Sequence, residues 1–319
     1  STASIQPYIV ARRMATFDHL SNGRAGINIV TAFHASASRN LSLADSYHEG
    51  HDRRYDRADE FMEVCYRRWD SWEPDAVVAD VQADCFADPA KVRSTDYKGE
   101  FFSVAGPLNV HRSPQGRPLI VQAGQSARGI AFAARHAEAV FTIQRDLQGM
   151  KHYYEQLKEG MVALGRDPDT CKVFFGVQPF VAESAAMARE KAALHNAMVS
   201  TEAGLTMLSG HLGHDLSDVD LESAATELRV AGLQGLVDAY KVSASDSEVT
   251  QREMGRIHGI RVSAPQVAGD PEELVDWMCD TIDAVGGDGY LISPAYVPGS
   301  ITEFCELVVP LLQRCGRVR

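Results

Sequence analysis

No apolar run in this chain approaches the roughly 20 residues that a membrane-crossing helix needs. The longest apolar stretches carry Gly, Pro or charge within that length. Basic residues are the scarcer sign: 31 Lys and Arg stand against 43 Asp and Glu, a formal net charge of -12, with no basic cluster longer than a few residues. Neither nucleic acid nor an anionic membrane surface is therefore an expected partner. Six cysteines (Cys65, Cys85, Cys171, Cys279, Cys305, Cys315) are scattered without a C-x-x-C pair. That gives no zinc framework and suits a reducing, cytoplasmic setting. No Gly-Lys-Ser/Thr is present to make a P-loop, and Gly124-x-Ser126 lacks the last glycine of a Gly-x-Ser-x-Gly nucleophile elbow. Paired carboxylates are missing from the ends of the expected strands, which disfavours glycosidase chemistry. No Ser or Cys stands at a recognised spacing from a His.

What the chain does have is Pro118-Leu119-Ile120-Val121-Gln122-Ala123-Gly124-Gln125-Ser126-Ala127-Arg128-Gly129. Leu119 to Val121 is the short apolar run of a strand buried on both faces. Gly124 and Gly129 permit a tight turn and a close ligand approach. A helix opening near Ser126 would aim unpaired N–H groups and its positive dipole end at the strand's C-terminal edge, where a phosphate is the natural guest. The same geometry also serves simple N-capping by Ser126.

Along the 319 residues, strands alternate with helices. Strands are predicted at Ala25–Thr31, Leu119–Val121, Ala139–Ile143, Lys172–Ala182 (weakened by Pro179) and Gly289–Ser293. Helices are predicted at Tyr8–Leu20, His51–Trp72, Ile130–His136, Leu147–Leu164, Ser184–Met198, Asp270–Ala284 and Ile301–Cys315. Residues 73–117 read as an excursion with a hairpin, and 200–255 as polar and helical with no strand. The alternation predicts an α/β fold with parallel strands, of the TIM (β/α)8 type, with an open doubly wound sheet as its rival. Five strands are three fewer than the barrel needs. Asn28, Thr31, Gly124, Ser126, Thr142, Gln144 and Ser293 fall at strand C-terminal ends. His48-x-x-His51 and His211-x-x-His214, with His34 near the first pair, raise a metal site, but no carboxylate stands at ligand spacing, so no metal is expected.

Several stretches resemble the bacterial luciferase-like flavin monooxygenases, and within them the branch holding the nitrilotriacetate, dibenzothiophene-sulfone and long-chain alkane monooxygenases. They are Ala11-Arg12-Arg13-Met14-Ala15-Thr16-Phe17-Asp18-His19-Leu20-Ser21-Asn22-Gly23-Arg24, Asn28-Ile29-Val30-Thr31, His51-Asp52-Arg53-Arg54-Tyr55 and Trp69-Asp70-Ser71-Trp72-Glu73. Further on come Phe86-Ala87-Asp88-Pro89-Ala90-Lys91-Val92, Gly106-Pro107-Leu108-Asn109 and Arg112-Ser113-Pro114-Gln115-Gly116-Arg117-Pro118. The last are Ala137-Glu138-Ala139-Val140-Phe141-Thr142, Leu208-Ser209-Gly210-His211 and Asp288-Gly289-Tyr290.

The resemblance implies a single TIM-barrel domain spanning 1–319, with insertions at about 32–50, 73–117 and 200–268. It implies an FMN-dependent monooxygenase of a two-component system. Reduced FMN would come from a separate NAD(P)H:flavin reductase, and O2 would oxygenate a small-molecule substrate through a flavin C4a-(hydro)peroxide. A homo-oligomer, dimer or tetramer, is implied too. Ser126 and the N–H groups after Gly124 would hold the FMN phosphate, reached by Tyr55 with His51 beside it. Asn28 and Thr31 would line the ring, Ser1 and Thr2 would touch FMN, and His211 would be a proton donor or acceptor on the substrate side. The family often has Ser at Gln125 and an apolar residue at His214. Its first three strands have no counterpart here, so an N-terminally truncated chain is expected. The alternatives are an inactive truncated paralogue, or a metal-dependent hydrolase using His48, His51, His211 and His214.

Overall fold

The computed structural model describes residues 1–31, 50–212, 215–217, 220–223, 249–262 and 264–319. His34, His48, His214 and nearly all of the expected insertion at 32–50 lie outside the described residues. The chain forms two compact units, 1–139 and 140–319.

The first unit opens with α1 (Pro7–Ser21), whose proline sits at the helix start, where a missing N–H costs nothing. Asn22 (φ 52°) and Gly23 (φ 78°) end it in the left-handed region, and Gly23 N–H closes on the Asp18 carbonyl. The strand β1 (Gly26–Asn28) pairs in parallel with β6 (Leu119–Gln122), with Ile27 opposite Ile120. Between them in sequence runs α2 (His51–Trp69), which buries Tyr55, Ala58, Phe61, Met62, Cys65 and Trp69 on one stripe. The Trp69 indole donates to the Ala11 carbonyl, tying α2 to α1. The excursion holds two antiparallel hairpins, β2 (Val77–Asp80) with β3 (Cys85–Ala87) and β4 (Tyr97–Lys98) with β5 (Ser103–Val104). Helix α3 (Ala127–His136) follows β6 directly.

Asp18 explains why two of the family-like stretches meet. Its buried carboxylate accepts from Gln115 N–H (2.9 Å), Gln115 Nε2 (2.6 Å) and Ala25 N–H (3.3 Å). Burial pushes the carboxyl up, but these bonds outweigh it and hold the group below its usual range.

The second unit is built on the ten-residue strand β8 (Lys172–Val181). Beside it lies β7 (Ala139–Thr142), and β10 (Gly289–Ile292) pairs in parallel with Phe174–Val177. A strand missed in the sequence, β9 (Gln266–Gly269), pairs in parallel with Gln178–Val181. It falls inside the stretch expected to be an insertion. Pro179 does not end β8, because Gln178 N–H donates to Pro265 and the next donor on that edge is Phe180. Helices α4 (Leu147–Ala163) and α5 (Ala185–Met198) open on the caps Asp146 and Ser184. Helices α6 (Thr201–Leu212) and α7 (Gln251–Arg261) cross where a Cβ on Gly204 would stand 2.2 Å from the Gly255 carbonyl oxygen. Asp270 caps α8 (Pro271–Val285), and α9 (Gly299–Glu303) passes through a π turn, Phe304–Val308, into α10 (Val309–Arg314). Val181, Leu274, Val275, Met278, Phe304, Val308 and Leu312 form one core cluster of this unit.

Candidate functional site: an anion cradle after β6

Ser126 is the N-cap of α3: its hydroxyl oxygen accepts from Gly129 N–H at 3.1 Å. The N–H groups of Ala127 and Arg128 have no carbonyl within the helix to reach. Seventy-five residues upstream, the first turn of α2 delivers His51, whose Nε2 lies 3.1 Å from Ser126 Oγ. His51 Nδ1 lies 2.7 Å from Asp52 Oδ1. A carboxylate only accepts, so Nδ1 carries a proton and, in the neutral ring, Nε2 accepts from the Ser126 hydroxyl.

One helical turn on, Tyr55 is 6% exposed and its hydroxyl meets Thr31, Ser126 and Gln122. Burial pushes its phenol above the ordinary value against those bonds, so the group stays protonated and able to donate. The glycines are required here. A Cβ on Gly124 would lie 2.4 Å from Gln122 Nε2 and 2.8 Å from the Tyr55 hydroxyl, and one on Gly129 would also meet that hydroxyl at 2.8 Å.

Behind Tyr55 stands a charged buttress. The Arg128 guanidinium lies 5.5 Å from the Tyr55 ring centroid and bonds Asp59 (2.5 Å) and Asp56 (3.0 Å). Asp59 also meets His136 Nε2 at 2.8 Å. Burial would raise the Asp59 carboxyl, but His136 and Arg128 hold it below the usual range.

Thr31 thus joins Tyr55, while Asn28 is exposed at the end of β1. Buried Thr2 donates its N–H to the Val30 carbonyl at 3.0 Å, tying the Ser1–Thr2 turn to the same strand end. Ser1 itself is exposed and accepts from Ala3 N–H through Oγ. Sequence reasoning missed Gln122, Arg128 and the Ser126–His51 bond. The alternation of β6 puts Gln122 inward beside Ile120, which is the signal that was there to use. The order Ser126–His51–Asp52 is that of a hydrolase triad. As a nucleophile Ser126 is poorly set, since Gly129 N–H and Tyr55 engage its oxygen and the Asp52 side chain is 77% exposed.

In the second unit, His211 Nδ1 lies 2.8 Å from Nε2 of His258. His258 is fully buried, and burial with its imidazole neighbour pushes it down to about 4, so it is neutral at physiological pH. Thr142 is buried and accepts from Gln144 Nε2 at 2.8 Å. Among the described residues no group of three His, Cys, Asp or Glu side chains is placed to hold a metal, and no helix is long and apolar enough to cross a membrane. His51 and His211, half of the metal alternative, are engaged by Ser126 and by His258 instead.

Parallel strands joined by helices, with a hydroxyl- and imidazole-lined turn after β6, define an α/β protein. The chain belongs to the family described as luciferase-like monooxygenase, which matches residues 2–289. It is 42% identical over 318 residues to the dibenzothiophene-sulfone monooxygenase of Rhodococcus erythropolis, covering 98% of this chain and 70% of that protein. It is 37% identical to the N-acetyl-S-(2-succino)cysteine monooxygenase of Bacillus subtilis, covering 100% and 73%. Among solved structures, a riboflavin lyase with modified FMN and riboflavin superposes with TM-score 0.88 at 34% identity, covering 100% of this chain and 70% of that one. A long-chain alkane monooxygenase gives 0.85 at 34%, covering 100% and 69%.

Proposed function

We propose that this chain is the oxygenating component of a two-component flavin monooxygenase, taking reduced FMN from a separate NAD(P)H:flavin reductase and using O2 to oxygenate a small organic molecule. The observation that carries the reading is the convergence of the Tyr55 and Ser126 hydroxyls and the His51 imidazole on the start of α3. Hydroxyl donors, an imidazole and unpaired helix N–H groups are what a phosphate monoester recognises. The names of the relatives support the same reading. One is component A of nitrilotriacetate monooxygenase, 36% identical, and the riboflavin lyase carries a modified FMN.

In this reading Ser126, Tyr55 and His51 hold the phosphate, and Gly124 lets it approach. Asn28 and Thr31 line the flavin ring, with Ser1 and Thr2 beside them. His211, held by neutral His258, is the proton donor or acceptor on the substrate side. Bound FMN would supply the oxygen activation; the protein binds it, orients it and excludes water. The parallel strands are staves of one TIM-barrel domain of luciferase type, with the excursion at 73–117 as an insertion. The exposed Ile9, Phe17 and Leu20 on α1 support a homo-oligomer.

Equilibrium titration with FMN tests the cradle. Ser126→Ala should weaken FMN binding about 10-fold or more, the worth of a hydrogen bond to a charged group. Unchanged affinity would remove Ser126 from the phosphate site. With a flavin reductase, NADH and 18O2, oxygenated product from a panel of sulfones, thioethers, aminopolycarboxylates and alkanes is expected. No FMN binding at all would end the oxygenase reading.

A further inference from the structure

The cradle's hydrogen bonds have a direction, and one buried amide sets it. Gln122 is 3% exposed, and its Oε1 accepts from Gly124 N–H at 2.6 Å. A backbone N–H can only donate, so the amide oxygen must face it. That turns Nε2 toward Tyr55, and the phenol oxygen accepts from it. Both atoms crowd the same side of Gly124, within 2.4 and 2.8 Å of where a Cβ would stand. With its oxygen already accepting, Tyr55 must send its single proton elsewhere. Ser126 also accepts there, from Gly129 N–H, and in the free turn gives its proton to the neutral His51 ring.

We infer that Gln122 is a specificity-determining residue: it fixes the Tyr55 hydroxyl as a donor, so that the turn selects a phosphate dianion over a neutral hydroxyl end. This rests on the phosphate reading above. A dianion accepts every proton the cradle offers and donates none. A terminal alcohol such as that of riboflavin carries no charge to draw the Tyr55 proton and brings one of its own, while the His51 Nε2 acceptor is already taken by Ser126. Gln122 does not touch the ligand; it is a positioning residue that acts through Tyr55.

The test is a fluorescence titration of the full chain with FMN and with riboflavin. Gln122→Glu keeps an acceptor for Gly124 N–H but would draw the Tyr55 proton inward. Gln122→Met removes the amide at similar volume. Both should lower FMN affinity about 10- to 100-fold while riboflavin affinity changes less than about 3-fold, the scale of one hydrogen bond to a charged group. In a Tyr55→Phe background, Gln122→Met should cost nothing further, because the residue it acts through is gone. If both variants keep the wild-type ratio of FMN to riboflavin affinity, or if Gln122→Met costs as much without the phenol, Gln122 does not set the direction, while the phosphate reading stands. If the wild-type chain binds riboflavin as tightly as FMN, the phosphate reading itself fails. Far-ultraviolet circular dichroism identifies any variant that has not folded, and the remaining one then decides.

Discussion

At the scale of single residues, the turn after β6 closes around Tyr55 because two glycines leave room for one phenol. Gly124→Ala would drive a methyl into Gln122 Nε2, the Tyr55 hydroxyl and the Gly129 backbone, the last at 2.9 Å. We expect a loss of about 1–3 kcal/mol in urea denaturation, the usual cost of overpacking, together with loss of FMN binding; a variant that binds FMN normally would mean the turn is looser than it looks. Arg68 makes the opposite case. It is fully buried, and its three guanidinium nitrogens have no hydrogen-bond partner among the described residues. Burial lowers its pKa, with only the charges of Asp96 and Tyr8 pushing back. A desolvated cation without bonds costs stability, so Arg68→Met should leave the fold unchanged or stabilise it by up to about 2 kcal/mol. A clear loss in denaturant midpoint would mean that Arg68 is paired in solution. The sequence made Gly124, Ser126, Tyr55 and His51 legible through residue type and resemblance. It could not show the Ser126–His51 bond or the Arg128–Asp59–His136 buttress, because each joins residues some 70 positions apart.

At the scale of elements, helices and strands with their own punctuation were readable. Asp146, Ser184 and Asp270 open helices as N-caps, and Asn22-Gly23 closes one. The five expected strands are present, while β9 escaped because Gln266-Val267-Ala268-Gly269 has one β-branched residue and no apolar run. Its pairing comes from β8, which supplies a ladder that a short segment need not specify alone. The α6–α7 pair carries a pH signature. His258 sits at about 4 when folded against 6.5 when free, so between those values the unfolded chain holds a proton that the folded chain does not. Stability therefore falls as pH drops from 6.5 toward 4 and is level above 6.5, by up to about 3 kcal/mol for a shift of this size. Urea midpoints across that window should show the slope in the wild type and a shallower one in His258→Gln. Identical slopes would assign the acid sensitivity to other groups.

At the scale of the whole molecule, composition alone identified little. A net charge of -12 argued against nucleic acid and membranes, and only the ordered series of motifs pointed to the family that residues 2–289 match. The function proposed for the whole chain stands or falls with the turn after β6 as a phosphate site. The measurement that tests this most directly is a crystal structure of the protein soaked with FMN. The account predicts the phosphate within about 2.5–3.2 Å of both the Ser126 and Tyr55 hydroxyls, with the His51 ring at its side. FMN bound with its phosphate elsewhere, and Ser126 still donating to His51 in an untouched cradle, would contradict it.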